Sequence, residues 1–262
     1  MSSRKGAFLI VGVSVALLML PALATAGTAP TGSGNFSAVV PRLGTEGAGP
    51  TPWSDNFDAY ANGSQMHGQG GWVGWDNSPG AGALVTNAQS QSPPHSVDIR
   101  GASDLVHQYD GAVSGLWTYR ANMFVPTAFT GDSYFILLNT YNHFGPYNWS
   151  VQIHANGPSN TMMRDDGGGS LPLIRGRWVE LRTEVNLNND TYNVFYDNVP
   201  LGVANRSWTN GLSGGGVLEI DAVDLFANGA SSVYWDNLSL VPEPASLTLL
   251  GLGALVLVRR RR

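Results

Sequence analysis

The sequence predicts an all-β protein whose single folded domain is an antiparallel β-sandwich. Between Trp53 and Val241, short segments alternate apolar and polar residues, which is the period of a strand that buries one face. Turn-forming Gly, Asn, Asp and Pro separate these segments. Convincing helical periodicity is confined to the two ends of the chain. Roughly a dozen short strands without intervening helices favour two sheets packed face to face.

The clearest strand runs from Arg177 to Leu187. Apolar residues alternate there with Glu, Arg and Asn, so one face is buried and the other is solvated. A turn at Asn188–Asp190 leads into a second alternating segment, Tyr192–Tyr196, and together they predict a hairpin. The other predicted strands are residues 105–109, 117–125, 133–139, 148–154, 199–203, 217–220 and 233–240. Residues 133–139 are almost continuously apolar, which is typical of a strand covered on both faces.

The start of the chain predicts export. Arg4 and Lys5 precede an apolar run from Ala7 to Leu20, and a small-residue cleavage site ends at Ala26. These are the three parts of a signal peptide, so residues 1–26 are expected to be helical and then removed. Residues 27–52 are rich in Gly, Thr, Ser, Pro and Ala, and they predict a flexible linker ahead of a sandwich domain at 53–241.

The end of the chain has three parts in a fixed order. Pro242, Glu243 and Pro244 come first, and the two prolines favour an extended backbone. An uncharged apolar run, Ala245–Val258, and four arginines at 259–262 follow. As a helix the run would span about 21 Å, less than the roughly 30 Å hydrocarbon core. Arginines that snorkel would let it insert as a short transmembrane helix with its basic end in the cytoplasm.

This segment, residues 242–262, resembles the PEP-CTERM sorting signal of Gram-negative bacteria. The resemblance implies that an exosortase recognises Pro242, Glu243 and Pro244 and removes the tail. It also implies an exported protein that is membrane-associated during sorting and then reaches the cell surface or extracellular matrix. The producer would be a Gram-negative bacterium that makes extracellular polysaccharide, as in a biofilm. An ordinary C-terminal membrane anchor is the alternative.

Composition restricts the partners of the processed chain. After removal of residues 1–26 and of everything beyond Pro244, eight Arg stand against nineteen Asp and Glu, a net charge of −11. Lys5 is the only lysine in the sequence, so an electrostatic footprint for nucleic acid is missing. The sequence contains no cysteine, which excludes disulfides and thiolate metal sites. The domain must therefore rely on its apolar core.

Several loose motifs resemble the concanavalin-like, laminin-G-like jelly rolls of bacterial surface proteins. They are Asp55–Asp58, Gly70–Trp72, Arg177–Leu181 with its hairpin, and Val233–Leu238 with an internal Asp-Asn. The resemblance covers roughly residues 55–240 and implies that the first and last strands of the domain pair. Members of this group mostly bind glycans or other proteins, and some hydrolyse polysaccharide.

One strand carries a candidate catalytic set. Glu219, Asp221 and Asp224 follow an order similar to that of concanavalin-like β-glucanases of the laminarinase type. That resemblance implies a nucleophile at Glu219, an orienting group at Asp221 and the acid at Asp224, aligned by a bulge at residues 222–223. Asp224 stands where that family has the longer glutamate, which would set the acid back. The alternative, which we favour, is a core strand with acids on its outer face and no catalysis.

A structural Ca²⁺ site is a further candidate. Asp55, Asp58, Asp236 and Asn237 would converge if the first and last strands pair, and Ca²⁺ prefers carboxylate and amide oxygens. The alternative is that these residues form turns and carry solvated charge. No other cofactor is indicated.

Aromatic residues give the main functional indication. Tyr141, Tyr147 and Trp149 lie in one loop among Asn and Gly. Flat rings flanked by amides commonly hold the apolar face of a sugar, although a sandwich core also uses aromatics. We therefore expect non-catalytic binding of extracellular polysaccharide by the sandwich. The rival functions are a glycoside hydrolase that uses residues 219–224 and a purely structural matrix or adhesion protein.

Overall fold

A computed structural model describes residues 49–243. The predicted signal peptide, most of the predicted linker, Pro244 and the predicted transmembrane segment lie outside the described residues. Within residues 49–243, no helix is long and apolar enough to cross a membrane. The boundaries at 26, 53 and 242 remain predictions, and the first described strand begins at Gly49.

The domain is an all-β antiparallel sandwich, as the sequence predicts. Two short 3-10 turns, Trp75–Asn77 and Pro79–Ala81, are the only helical elements of the described chain. The strands are β1 Gly49–Pro50, β2 Trp53–Asp55, β3 Trp72–Gly74, β4 Leu84–Thr86, β5 Ser96–Ile99, β6 Asp104–Asp110, β7 Leu116–Phe124, β8 Asp132–Tyr141, β9 Tyr147–Asn156, β10 Thr161–Arg164, β11 Gly169–Pro172, β12 Trp178–Asn186, β13 Thr191–Tyr196, β14 Val199–Pro200, β15 Arg206–Ser207, β16 Ala222–Asn228 and β17 Val233–Pro242.

Two sheets form the layers of the sandwich. The front sheet has eight strands in the order β1-β6-β16-β8-β9-β10-β11, with β3 also paired to β6. The back sheet has nine strands in the order β14-β13-β12-β7-β17-β5-β4, with β15 on β13 and β2 on β17. Every pair of named strands is antiparallel except β1 with β6. Strands distant in sequence therefore lie side by side at the centre of each sheet.

The main core fills the space between the sheets. On β12, Val179, Leu181 and Val185 are buried and alternate with half-buried polar residues, which is the pattern that the sequence predicts. The inner face of the front sheet contributes rings such as Phe135, which lies 5.7 Å from Trp235 of the back sheet. Burying each such side chain contributes about 1.5–3 kcal/mol to the free energy of folding. This core therefore stabilises a domain that has no disulfides.

A second, smaller apolar cluster lies on the outer face of the front sheet. Its buried members are Val106, Ile136, Leu138, Tyr141 and Ala222. Because side chains alternate along a strand, this face also presents Asp104 on β6 and Asp224 and Phe226 on β16. Strand β8 is thus covered on both faces, as its continuous apolar sequence predicts. The outer face of the front sheet is where the candidate site lies.

The first and last strands of the predicted domain do pair. Strand β2 runs antiparallel to β17, with Asp55 opposite Leu238. A bulge between Asp236 and Ser239 interrupts the pairing of β17 with β7, and Asn237 takes a φ of 50° there. The Asp-Asn of the last strand is therefore a bulge that lets β17 pair with β5 before it and with β2 after it.

The strand predicted at 217–220 begins later in the structure. Residues 217–220 form a bend in which Val217 and Leu218 are about half exposed, and β16 starts at Ala222. Ile220 turns inward, and its N–H donates to the carbonyl of Ala112. The apolar pattern that suggested a strand here reflects one inward residue in a bend and not a paired segment.

Candidate functional site

The aromatic loop named from the sequence is the connection between β8 and β9. Tyr141 ends β8 and Tyr147 begins β9, and residues 142–146 form the link. Asp76, in the 3-10 turn after β3, fastens this link to the front sheet. Its carboxylate Oδ1 accepts hydrogen bonds from the Phe144 N–H at 2.7 Å and the Tyr147 hydroxyl at 2.5 Å. Its own N–H donates to the Tyr141 hydroxyl oxygen at 2.9 Å.

The turn that holds Asp76 has an unusual backbone. Asp76 and Asn77 have φ values of 54° and 58°, in the left-handed region that Asp and Asn tolerate better than most residues. This conformation allows Asp76 to face the hairpin while the preceding residue, Trp75, lies against its rings. Local strain of this kind concentrates at ligand sites, where the surrounding contacts maintain it.

The hairpin rings and Trp75 form one aromatic group. The Trp75 ring lies 4.9 Å from Tyr141 and 4.8 Å from Tyr147, and it stacks on Trp149 at 6.0 Å with 12° between the planes. Tyr141 is 1% exposed, so its ring packs beneath the other rings on the side of the sheet. Trp75, Tyr147 and Trp149 are half-buried and keep ring surface in contact with solvent. These three rings can meet a ligand, and Tyr141 can position them.

A cleft of about 260 Å³ opens beside these rings on the outer face of the front sheet. Strands from distant parts of the chain supply its walls through the pairings of β6 with β16, β16 with β8 and β8 with β9. Rings, acids, one amide and one aliphatic side chain line it: Trp75, Trp149, Phe226, Asp104, Asp224, Gln152 and Ile136. An apolar cleft with a few convergent polar groups is the usual form of a small-ligand site.

Two carboxyl groups lie together at the bottom of the cleft. Asp224 is 2% exposed, and neither its Oδ1 nor the Oδ1 of Asp104 has a hydrogen-bond partner in the protein. Burial, the charge of Asp104 and their shared hydrogen bond raise the pKa of Asp224 well above its usual range. Burial also raises the pKa of Asp104, and Asp76 adds to this effect. Like charges this close cannot both ionise freely, so the pair holds a proton that isolated aspartates would lose.

A third titratable group lies farther along the same face. His154 of β9 stacks on Tyr134 at 4.3 Å, and Tyr134 stacks on Phe226 at 5.4 Å. Its Nε2 lies 3.0 Å from a carboxylate oxygen of Asp132, and its Nδ1 lies 3.4 Å from Asp165. Burial opposes the charged ring, but hydrogen bonds to both carboxylates outweigh it and raise the pKa of His154. The rings thus continue from the cleft across the sheet.

The predicted catalytic residues do not share one strand. Of Glu219, Asp221 and Asp224, only Asp224 belongs to β16, which pairs with β8 in unbroken register from Ala222 to Asn228, without the expected bulge. Asp221 is buried, and its Oδ2 accepts the Tyr141 N–H at 2.6 Å, so this carboxylate secures the end of β8. Glu219 lies in the preceding bend, where its carbonyl accepts the indole N–H of Trp208.

The four predicted metal ligands act as hydrogen-bond acceptors. Asp55 accepts the Phe57 N–H, the Tyr60 hydroxyl and the Trp72 indole N–H. Asp58 accepts the Asn56 amide and the His95 N–H. Asp236 accepts the Gln91 and Ser92 N–H groups, and Asn237 accepts the Ser92 hydroxyl. Within residues 49–243, no group of three or more His, Asp or Glu is arranged for a metal.

The first two residues of the sorting motif lie at the end of β17. Pro242 is opposite Trp117 in the ladder with β7. The Glu243 N–H donates to the carbonyl of Leu116 at 2.8 Å, and the Thr118 hydroxyl donates to the Glu243 carboxylate. Pro244 lies beyond the described residues. The motif therefore starts as a direct continuation of the last strand.

Residues 240–262 match the PEP-CTERM protein-sorting motif. This match implies an exported protein that is processed by an exosortase and sorted through the membrane to the cell surface. No curated protein matches the chain.

Solved structures place the sandwich among the jelly-roll, concanavalin-like folds. One is the T. cruzi calreticulin globular domain, with a TM-score of 0.52 and 9% identity, covering 76% of this chain and 90% of that one. Another is a sialidase, with a TM-score of 0.50 and 8% identity over 73% of this chain. The match spans only 18% of the sialidase, and identities this low show the fold alone.

Sequence reasoning named the hairpin rings but missed Trp75 and Asp104 as members of the site. The segment Gly74-Trp75-Asp76-Asn77 carried a signal, because Asp-Asn after a ring is a turn that can hold the ring at the surface. For Asp104 no local signal exists. It reaches Asp224 only because β6 and β16, more than a hundred residues apart, are neighbours in the front sheet.

Proposed function

We propose that this protein is a non-catalytic carbohydrate-binding protein of the cell surface or extracellular matrix. The cleft on the outer face of the front sheet is its binding site. Trp75 and Trp149, with Tyr147 beside them, provide ring surface for the apolar face of a pyranose. Asp104, Asp224 and Gln152 provide the polar groups that orient hydroxyls. The sorting motif supports a setting of extracellular polysaccharide, such as a Gram-negative biofilm matrix.

The observation that carries the proposal is the position of half-buried tryptophans beside two carboxyls that each have a buried, unpartnered oxygen. A ring needed only for the core would be covered, as Trp72, Trp208 and Trp235 are. Trp75 and Trp149 instead line an open cleft. The binding energy would come mainly from the rings, and selectivity would come from the polar groups.

The test is a panel of neutral, acidic and amino-sugar oligosaccharides titrated against the full chain. Replacing a stacking ring removes about 1–3 kcal/mol of apolar contact, so Trp149→Ala should weaken binding of the best ligand about 5- to 150-fold. Trp178→Ala is the matched control, because Trp178 is also half-buried but packs on Phe124 in the back sheet. Equal affinities of Trp149→Ala and wild type would overturn the proposal.

Hydrolysis is the second candidate, favoured by the acid pair in the cleft. Retaining hydrolysis needs two carboxyls, one with a raised pKa, on either side of the scissile bond. The hydrogen bond between Asp104 and Asp224 leaves no room for a bond between them, which supports binding over cleavage. Release of reducing ends by wild type, lost in Asp224→Asn, would favour the hydrolase instead.

A further inference from the structure

The carboxyl pair in the cleft is an incomplete hydrogen-bonding group. Asp224 is 98% covered by its surroundings, yet its Oδ1 finds no donor, and the Oδ1 of Asp104 is in the same condition. A buried carboxylate oxygen without a donor costs free energy unless something outside the protein supplies one. Both residues belong to the lining of the open cleft, which is the side from which a donor outside the protein would approach.

The surroundings of the pair determine what kind of donor fits. The charged groups nearest to it on the outer face are Asp76 from the turn after β3 and, farther along, Asp132 and Asp165 around His154. Every arginine within residues 49–243 is engaged elsewhere, for example Arg164 with Asp166 and Arg120 with Glu180. The cleft is therefore a negative site beside rings, and none of the arginines within residues 49–243 compensates its charge.

We infer that the cleft selects an amino sugar, whose ammonium group binds Asp104 and Asp224 while a sugar ring packs on Trp149. This inference rests on the proposed function and names its ligand class. A hydroxyl brings one donor and no charge. An ammonium brings three donors and a positive charge, which complements the negative charge of the acid pair. The neighbouring tryptophan faces also attract a cation. A uronic acid would instead meet like charge and be rejected.

The experiment compares three β-1,4-linked hexamers of equal length: glucosamine, N-acetylglucosamine and glucose. Each is titrated calorimetrically into the full chain at the same pH and salt. The charge-assisted contacts predict that the glucosamine hexamer binds at least about tenfold tighter than the other two. Asp224→Asn and Asp104→Asn should each abolish this preference, so that each variant binds the three hexamers with similar affinities.

The control is Asp110→Asn, which removes the same charge from an exposed position on the same strand as Asp104. Asp110→Asn should keep the preference for the glucosamine hexamer. Each of the three variants lowers the overall negative charge of the protein by the same amount, so a preference due to overall charge alone would weaken equally in all three. Equal affinities for the three hexamers, or a preference that survives in both cleft variants, would overturn the amino-sugar inference. The proposed function fails separately, if Trp149→Ala binds every oligosaccharide of the panel as wild type does.

Discussion

At the scale of single residues, hydrogen bonds divide five aspartates of the domain, which are buried or half-buried, into two classes. Asp55, Asp221 and Asp236 accept donors from the backbone or from rings, and they fix turns and strand ends. Asp104 and Asp224 have oxygens that no donor of the protein reaches. Turn-capping Asp and metal-binding Asp have the same local sequence pattern, so the sequence alone does not separate these two roles. What sets Asp104 and Asp224 apart is that both also line an open cleft.

The charged state of His154 gives a residue-scale prediction about pH. Its pKa is raised in the folded protein, so its contribution to stability is complete below the unfolded value of about 6.5 and is lost as pH rises through the folded value. His154→Gln should therefore cost roughly 1 kcal/mol at pH 5.5 and much less at pH 8.5, after allowance for partial exposure. Thermal or urea unfolding of both proteins at the two pH values measures the difference.

The control for this prediction is His143→Gln. That ring contacts the Tyr141 hydroxyl, so its replacement measures what the loss of an imidazole outside the ion pairs costs at each pH. The raised pKa values of Asp104 and Asp224 act with the same sign as His154 but are common to wild type and variant, so they cancel in the comparison. A cost of His154→Gln that is unchanged or larger at pH 8.5 would contradict the assigned ion pairs.

At the scale of elements, the hairpin β8–β9 and the turn after β3 form one unit. Asp76 bonds to both arms and to the link of the hairpin, and Trp75 packs across the rings. The sequence identifies the hairpin because its aromatic and Asn-rich link is local. It does not identify the partner turn, because the contact between Asp76 and Tyr147 spans seventy-one residues. Elements that meet only through tertiary packing leave no periodic signal.

The last strand gives an element-scale prediction about sorting. Because Thr118 and Leu116 of β7 hold Glu243 at the end of β17, the motif must detach from β7 before an extended peptide can enter a processing enzyme. Thr118→Val removes one of these bonds at constant shape and should speed loss of the arginine tail in a host with an exosortase. Intact mass spectrometry over a time course measures the fraction of protein that has lost Arg262.

Thr183→Val is the control for this change, because Thr183 is a buried threonine whose hydroxyl has no partner and does not contact the motif. It should leave the processing rate unchanged. Identical rates in wild type and Thr118→Val would show that the contacts of Glu243 do not limit processing. Retention of Arg262 in the mature wild-type protein would contradict removal of the tail itself.

At the scale of the whole molecule, alternation along the chain was enough to predict the sandwich. In strands such as β12 and β13, the alternation of apolar and polar residues identifies the buried face within a few residues. The pairing of β2 with β17 agrees with the jelly-roll resemblance. The candidate site was predictable only in part. The hairpin rings Tyr141, Tyr147 and Trp149 lie within one short stretch of sequence. Trp75 comes from a distant turn, and Asp104 and Asp224 become neighbours through the non-local order of the front sheet. The exact start of β16 also decides which acid faces the cleft, and one residue of register reverses the face.

The central claim is that the outer face of the front sheet, at Trp75 and Trp149, is where a glycan binds. The most direct measurement is an NMR titration that follows the indole N–H signals of the eight tryptophans of the full chain. With the tightest-binding oligosaccharide of the panel, the signals of Trp75 and Trp149 should shift in a saturable way, because a sugar ring would pack against them. Those of Trp178 and Trp208, in the back sheet and the core, should stay in place. Saturable shifts confined to Trp178 or Trp53, or no saturable shift with any oligosaccharide, would contradict the account.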